Sequence, residues 1–339
     1  MKISKIISNT AISATCYLAA SILPAQAQEA NWKMHVALTE SRVETQTAQK
    51  FVDAVNSTTD DLSITLFSGG SLGIKDADML RILPRGNVIQ AAALYPGYLT
   101  RDNPDFAYIL PPGVASDPNS LRDAASVLKE VYGQVYDAAG IKALGFIGHA
   151  TRDTHIMCKE PVNSLEELRK RKVRVWEKFH VDTFEALGVS AQIIGQSELY
   201  VAMQTGVVDC AVYPVSLAVT VSLQEVAPYA SYLFPYVLHP WTFVVSQSAF
   251  DKLSPETQAT LVEVGAAVEA AAMEDYVNGT NDTVAMETFV SSGGTILEPF
   301  SDEDRAAFRD AARNLWSELS EDGGDQRKAN YEKVNDALK

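Results

Sequence analysis

Residues 197–214, SELYVAMQTGVVDCAVYP, read as a helix, a terminating glycine, an apolar strand and then Tyr-Pro. Gly206 stands where a helix ends in the left-handed conformation, which glycine adopts without a Cβ penalty. The strand 207–213 then delivers Tyr213 at its end. The same order occurs earlier, in MLRILPRGNVIQAAALYP at 79–96. There a short helix broken by Pro84 ends at Gly86, and Tyr95-Pro96 closes the strand 87–95. That strand is apolar almost throughout, the pattern of a strand covered on both faces of a parallel sheet. Two similar halves, each with a tyrosine at a matching strand end, predict two lobes facing one cleft.

The surrounding chain alternates strand and helix patterns. WKMHVAL (32–38) is strand-like, and a helix follows with Val43, Thr47, Phe51, Val52 and Val55 on one side. The strand 62–67 precedes the first quoted repeat, and a helix at 120–139 leads into IKALGFIGH (141–149). This βαβαβ layout predicts an α/β lobe whose ligand edge lies at the strand C-termini. A second unit begins near residue 151. Ser164 and Glu167 form a capping box, followed by a strand at 172–176, a helix at 179–187 and the strand VSAQII. Beyond strands within 229–246, Ser254, Pro255 and Glu256 open a long helix running to about Val290, with a bend at Gly279. Such a helix outlasts one lobe and should brace both. Amphipathic helices at 302–319 and 325–338 complete the chain.

The chain has 339 residues and a net charge of −15. Its first 27 residues read as a signal peptide, with Lys2 and Lys5 before an apolar run and AQA at 25–27 as the cleavage site. A lipid anchor on Cys16 is the alternative. Removing this leader leaves 312 residues with net charge −17, enough for two substantial cores in a soluble, exported product. The acidity argues against nucleic acid or anionic lipid as partners. It also requires any anionic ligand to be held by local cations. Cys158 and Cys210 remain, as a disulfide or as two buried thiols.

Several motifs compete as sites of chemistry. Gly69, Ser71 and Gly73 spell the G-x-S-x-G of a hydrolase nucleophile elbow. A triad would need a late histidine, yet the last is His239, a hundred residues from the end. No oxyanion loop precedes Ser71, so catalysis there is disfavoured. His149, His155 and Cys158 cluster without a convincing fourth metal ligand, and no phosphate loop or dinucleotide fingerprint is present. Neither a metal nor a cofactor is expected. Arg174 is more informative. It alternates with Val173 and Val175 in a short apolar strand and must find an anion or water on the opposite face. A salt bridge to Glu177 or Glu198 is the plain reading; a bidentate clamp for a ligand carboxylate is the functional one.

LFSGGSLG (66–73), SLEELRKRKVRVW (164–176), EALGVSAQIIGQSELYVAMQTGVVDCAVYP (185–214) and FVVSQSAFDKLSPETQATL (243–261) together resemble one family over nearly the whole mature chain. It is the substrate-binding subunit of tripartite ATP-independent periplasmic (TRAP) transporters, the DctP type. The resemblance implies a two-lobed α/β clamshell with a long helix crossing both lobes. Lobe I would comprise 28–151 plus about 239–278, and lobe II 152–238 plus about 279–339. It further implies a monomer that closes on a small organic acid and delivers it to the membrane subunits. The glycine-rich segment around Ser71 is then a turn, with no nucleophile. By position, Arg174 matches the family arginine that pairs with the ligand carboxylate, and Gln196 a cleft-lining residue. Tyr213 stands where some members have an asparagine, and Tyr95 at the equivalent strand end of the first lobe. Arg152 lies near a second basic position. Trp241, Phe67 and Trp176 are candidate wall residues. Tyr95, Tyr213 and Trp241 would suit an apolar or aromatic monoacid, whereas Arg152 would suit a diacid or sugar acid. A secreted hydrolase using Ser71, or a ligand-sensing subunit of a membrane receptor, is the alternative.

Overall fold

A computed structural model describes residues 30–148 and 151–339. The leader expected over 1–27, with Cys16 and the expected cleavage site, and His149 lie outside the described residues.

Two sheets form, one per lobe. The first orders β2 (Leu62–Phe67), β1 (Ala30–His35), β3 (Ala91–Leu94), β10 (Trp241–Ser246) and β4 (Ile141–Gly148). The second orders β11 (Thr295–Ile296), β9 (Tyr229–Pro235), β5 (Asp153–Cys158), β8 (Cys210–Tyr213), β6 (Lys172–Val175) and β7 (Ser190–Ile193). Neither is purely parallel. β10 runs antiparallel to β3 and β4, and β5 runs antiparallel to β8 and β9, while the remaining pairs are parallel. The path of the chain explains this. Each of these two strands enters its sheet directly from the other lobe, so it starts at the cleft edge where its neighbours end. Two of the crossings between lobes are therefore β4 to β5 and β9 to β10.

The third crossing is helical. The helix expected to reach Val290 is two, α5 (Pro255–Asn278) and α6 (Thr280–Ser291), separated by Gly279 at φ 62°. α5 packs on β4 and on α1 (Val43–Thr58), whereas α6 packs on the second lobe, against β11 and the short helix Val215–Ala218. The Ser254 hydroxyl caps α5 by accepting from the Thr257 amide at 3.1 Å, with Pro255 in the first turn. The capping box is also present in altered form. Ser164 accepts from the Glu167 amide, but the Glu167 carboxylate reaches back to the amide of Asn163.

Gly86 closes the 3-10 turn Leu83–Arg85 and Gly206 closes α4 (Leu199–Thr205), both in the left-handed region, as the repeated order requires. β3 is shorter than the apolar run 87–95, because Gln90 is turned into the connection. Its side chain accepts from the Lys33 amide and donates to the Gly86 carbonyl. In the first lobe, Phe51 of α1 stacks on Phe243 of β10 with ring centroids 4.6 Å apart. In the second, Val173 and Val175 pack with Phe184 of α3 (Lys178–Ala186) and with Phe308 of α7 (Asp302–Glu321). α8 (Asp325–Ala337), expected with the second lobe, packs on α7 and also on α2 (Ala125–Ala138) of the first. Val334 and Leu338 join the core of Leu128, Val131 and Tyr132, and Lys333 pairs with Glu130 at 2.7 Å. Cys158 and Cys210 sit opposite each other on β5 and β8 and form a disulfide.

Candidate functional site

The strand ends of the two sheets face each other across a cleft with about 470 Å³ of empty space, part of it open to solvent. From the first lobe come Leu38 and Arg42, in the connection after β1, with Tyr95 and Tyr98 after β3 and Trp241 at the start of β10. From the second come Arg174 and Trp176 of β6 and its extension, Gln196 after β7, and Tyr213, Pro214 and Leu217 after β8. Tyr236, in the crossing from β9 to β10, completes the wall. Ligand sites in open α/β sheets gather at strand C-termini for this geometric reason. Six of the twelve lining side chains are aromatic. Tyr98 stands edge-on to Tyr95 and to Trp241, at 5.1 and 6.5 Å between centroids.

Arg174 is the exceptional residue of this surface. Val173 and Val175 face the core, as alternation demands, and the arginine faces the cleft. Its residue is only 2 % exposed. Nε donates to the Ile194 carbonyl at 2.9 Å, which fixes the plane of the fork. The guanidinium carbon lies 5.9 Å from the Trp176 ring and 5.8 Å from the Tyr213 ring. Nη1 is buried and has no hydrogen-bond partner, and among the described residues no acid forms an ion pair with this side chain. The plain reading of a salt bridge to Glu177 or Glu198 is thus not met. Burial pulls the Arg174 pKa below its usual value, the mark of a cation removed from water without a counter-anion.

Arg42 differs. It caps the N-terminus of α1, and its Nε and Nη2 bond both carboxylate oxygens of Glu44 at 3.1 and 2.9 Å. Burial opposes its charge, but Glu44 beside it holds its pKa above the usual value. Gln196 donates to the Tyr213 hydroxyl at 2.8 Å, which leaves the Tyr213 proton free to be donated.

Behind the aromatic wall lies a polar chain that joins the lobes. Glu177, immediately after Trp176, accepts from the Tyr95 hydroxyl at 3.2 Å. His239 Nε2 lies 3.9 Å from its other oxygen, and His239 Nδ1 shares a 2.6 Å hydrogen bond with Tyr132. The His180 ring stands edge-on to Trp176 at 4.4 Å. Burial pushes the Glu177 carboxyl up to about 8, only partly offset by the hydrogen bonds from Tyr95 and Trp176. A Cβ on Gly97 would lie 2.8 Å from a Glu177 oxygen, so glycine is what admits this carboxyl against the first lobe.

Of the residues singled out in the sequence, Arg174, Trp176, Gln196, Tyr213, Tyr95 and Trp241 meet in the cleft. Two do not. Arg152 lies at the crossing between lobes, where Nη1 donates to the Val277 carbonyl near the end of α5 and the backbone amide donates to Asp282. That last turn exposes unpaired carbonyls, which attract a cation. Phe67 ends β2, the edge strand, one strand further from the cleft than the residues after β1 and β3, and it is half-buried there. Ser71 lies exposed in a turn where Gly69, Gly70 and Gly73 all have positive φ, and it is absent from the cleft lining. Cys158 spends its sulfur on the disulfide and cannot ligate a metal with His155. Arg42, Tyr98 and Tyr236 are additions to the sequence reading, and Glu177, named there only as a partner for Arg174, pairs with Tyr95 and His239. The basic residue immediately before the first helix was the available signal for Arg42.

The comparisons agree with this architecture. The family model described as bacterial extracellular solute-binding protein, family 7 (DctP) matches residues 34–322. A solute-binding protein of Sulfitobacter sp. (strain NAS-14.1) is 25% identical over 308 residues, covering 90% of each chain. Among solved structures, an extracytoplasmic solute receptor from Bordetella pertussis binding pyroglutamic acid superposes with a TM-score of 0.79 at 21% identity, covering 91% of this chain and 99% of its own. A TRAP periplasmic solute-binding protein from Sulfitobacter sp. NAS-14.1 with bound β-D-galacturonate gives 0.77 at 21% identity, over 90% and 99%. The structural likenesses show the shared fold. The family match, spanning most of the chain, decides membership: the chain belongs to family 7 of the bacterial extracellular solute-binding proteins, the DctP-type binding subunits of TRAP transporters.

Proposed function

We propose that this protein is exported by its leader, with cleavage after Ala27. In this reading it captures a small organic acid between its lobes and hands it to the membrane subunits of a TRAP transporter. The observation that supports this most is the buried guanidinium of Arg174, which faces the cleft with no acidic partner among the described residues and with Nη1 unbonded. A carboxylate entering the cleft loses its hydration, and the two outer nitrogens of the fork replace it. Such charge-assisted bonds contribute about 1.5–3 kcal/mol each, against roughly 8 kcal/mol for micromolar affinity. Arg174 therefore orients the ligand, and burial against the aromatic walls on closure supplies the rest. Tyr213 and Gln196 would complete the polar pole. Relatives carrying pyroglutamate or galacturonate make a carboxylate the natural common handle. The disulfide suits an oxidising compartment. Thermal-shift screening of paired acids and primary amides of the same skeleton tests the reading. At least one acid should raise Tm by several degrees while its amide does not. Equal shifts from acid and amide would contradict it.

A further inference from the structure

We infer that the cleft selects a monocarboxylate carried on a flat, unsaturated ring, with Glu44 setting the single-charge limit by occupying Arg42. The inference rests on the docking role proposed for Arg174 and narrows it. Two arginines reach the cleft, but they are not equivalent. Arg42 meets both oxygens of the Glu44 carboxylate, and both side chains are buried, so this pair contributes no net charge. Arg174 lacks any such partner among the described residues. Arg152, the other cation that would have suited a diacid, is turned onto the end of α5. A ligand with two carboxylates would dock one on Arg174 and bury the other without a counter-charge, which is strongly unfavourable.

The polar side chains of this surface are mostly aromatic-borne: four tyrosine hydroxyls, with Gln196 and the two arginines. Its lining includes no Asp, Asn, Glu, Ser, Thr, Lys or His. Much of the hydrogen-bonding capacity present is already engaged within the protein, since Gln196 donates to Tyr213 and Tyr95 donates to Glu177. A polyhydroxylated acid would have to pair its hydroxyls with these few groups and would bury the remainder against ring faces, which is unfavourable. What the walls offer is ring surface. Tyr95, Tyr98 and Trp241 form one mutually tilted group on the first lobe, and Trp176 and Tyr213 flank the guanidinium on the second. A flat ring attached to a carboxylate can be gripped by these faces and edges while its acid group stays in the plane of the fork.

Calorimetric titration of the purified protein with 4-methylbenzoate, terephthalate, D-galacturonate and pyroglutamate tests this. Terephthalate differs from 4-methylbenzoate by one carboxylate in place of a methyl group. The expected result is 4-methylbenzoate binding at least tenfold tighter than each of the others. Glu44→Gln should release Arg42 and shrink the gap between 4-methylbenzoate and terephthalate. If that variant does not fold, the wild-type ratios alone decide. Terephthalate, galacturonate or pyroglutamate binding as tightly as 4-methylbenzoate, or more tightly, overturns the inference and leaves carboxylate docking on Arg174 standing. Binding of none of the four by the wild type would remove both.

Discussion

Arg174 and Glu177 stand three residues apart, and both are ionisable groups taken out of water, yet the structure treats them oppositely. Arg174 keeps an open cation toward the cleft, whereas Glu177 is held between the lobes in the chain Tyr132–His239–Glu177–Tyr95. Its raised pKa has a definite consequence. The closed arrangement takes up a proton on Glu177, so the associated stability is fully present below the ordinary carboxyl pKa of 4.5 and is lost as pH rises through about 8. His180 faces the same carboxyl, but burial, with Arg174 and His239 nearby, lowers it to about 3, so it stays neutral through that window. Glu177→Gln should therefore flatten the fall in Tm between pH 5 and pH 8.5, an effect of a few kcal/mol at most over the full range. Equal pH slopes for wild type and variant, read by scanning calorimetry, would show that Glu177 is ionised throughout.

The elements carry the next scale. The disulfide ties neighbouring positions of β5 and β8 across a sequence separation of 52 residues. Loop-closure entropy for that separation corresponds to about 4 kcal/mol of stabilisation. A Cys158→Ser, Cys210→Ser double variant should melt at least several degrees lower, as followed by circular dichroism. An unchanged Tm would mean that the strand ladder and core alone fix this pair. Much at this scale was legible in the chain. Gly86 and Gly206 each announce a left-handed helix end, Ser164 and Ser254 announce helix starts, and the alternation around Arg174 gives its direction. These are local rules with local outcomes. The sense of β10 and β5 was not legible, because it depends on which lobe each strand enters from. Nor was the docking of α8 on α2, which two amphipathic faces decide at a distance. Arg42, Tyr98 and Tyr236 reach the cleft from connections, where no periodicity reports a side chain's direction.

At the scale of the whole molecule, four crossings connect the lobes, the fourth being α7, whose Phe308 joins the second core and whose Trp316 joins the first. The first three are bonded to one another: the Tyr236 amide donates to the Arg152 carbonyl at 2.7 Å, and Thr151 donates to Asp282 at 2.6 Å. Cleft closure then has two sources of attraction, the Tyr95–Glu177 contact within the protein and the ligand bridging both walls. Burying the Arg174 cation carries a desolvation cost that an anion at its fork offsets. Calorimetric titration of the best-binding acid into wild type and Arg174→Ala measures this most directly. The account predicts an affinity loss of roughly a hundredfold or more, from two charge-assisted bonds, in a variant whose unliganded Tm is unchanged or higher. Undiminished affinity in a folded Arg174→Ala protein would contradict it.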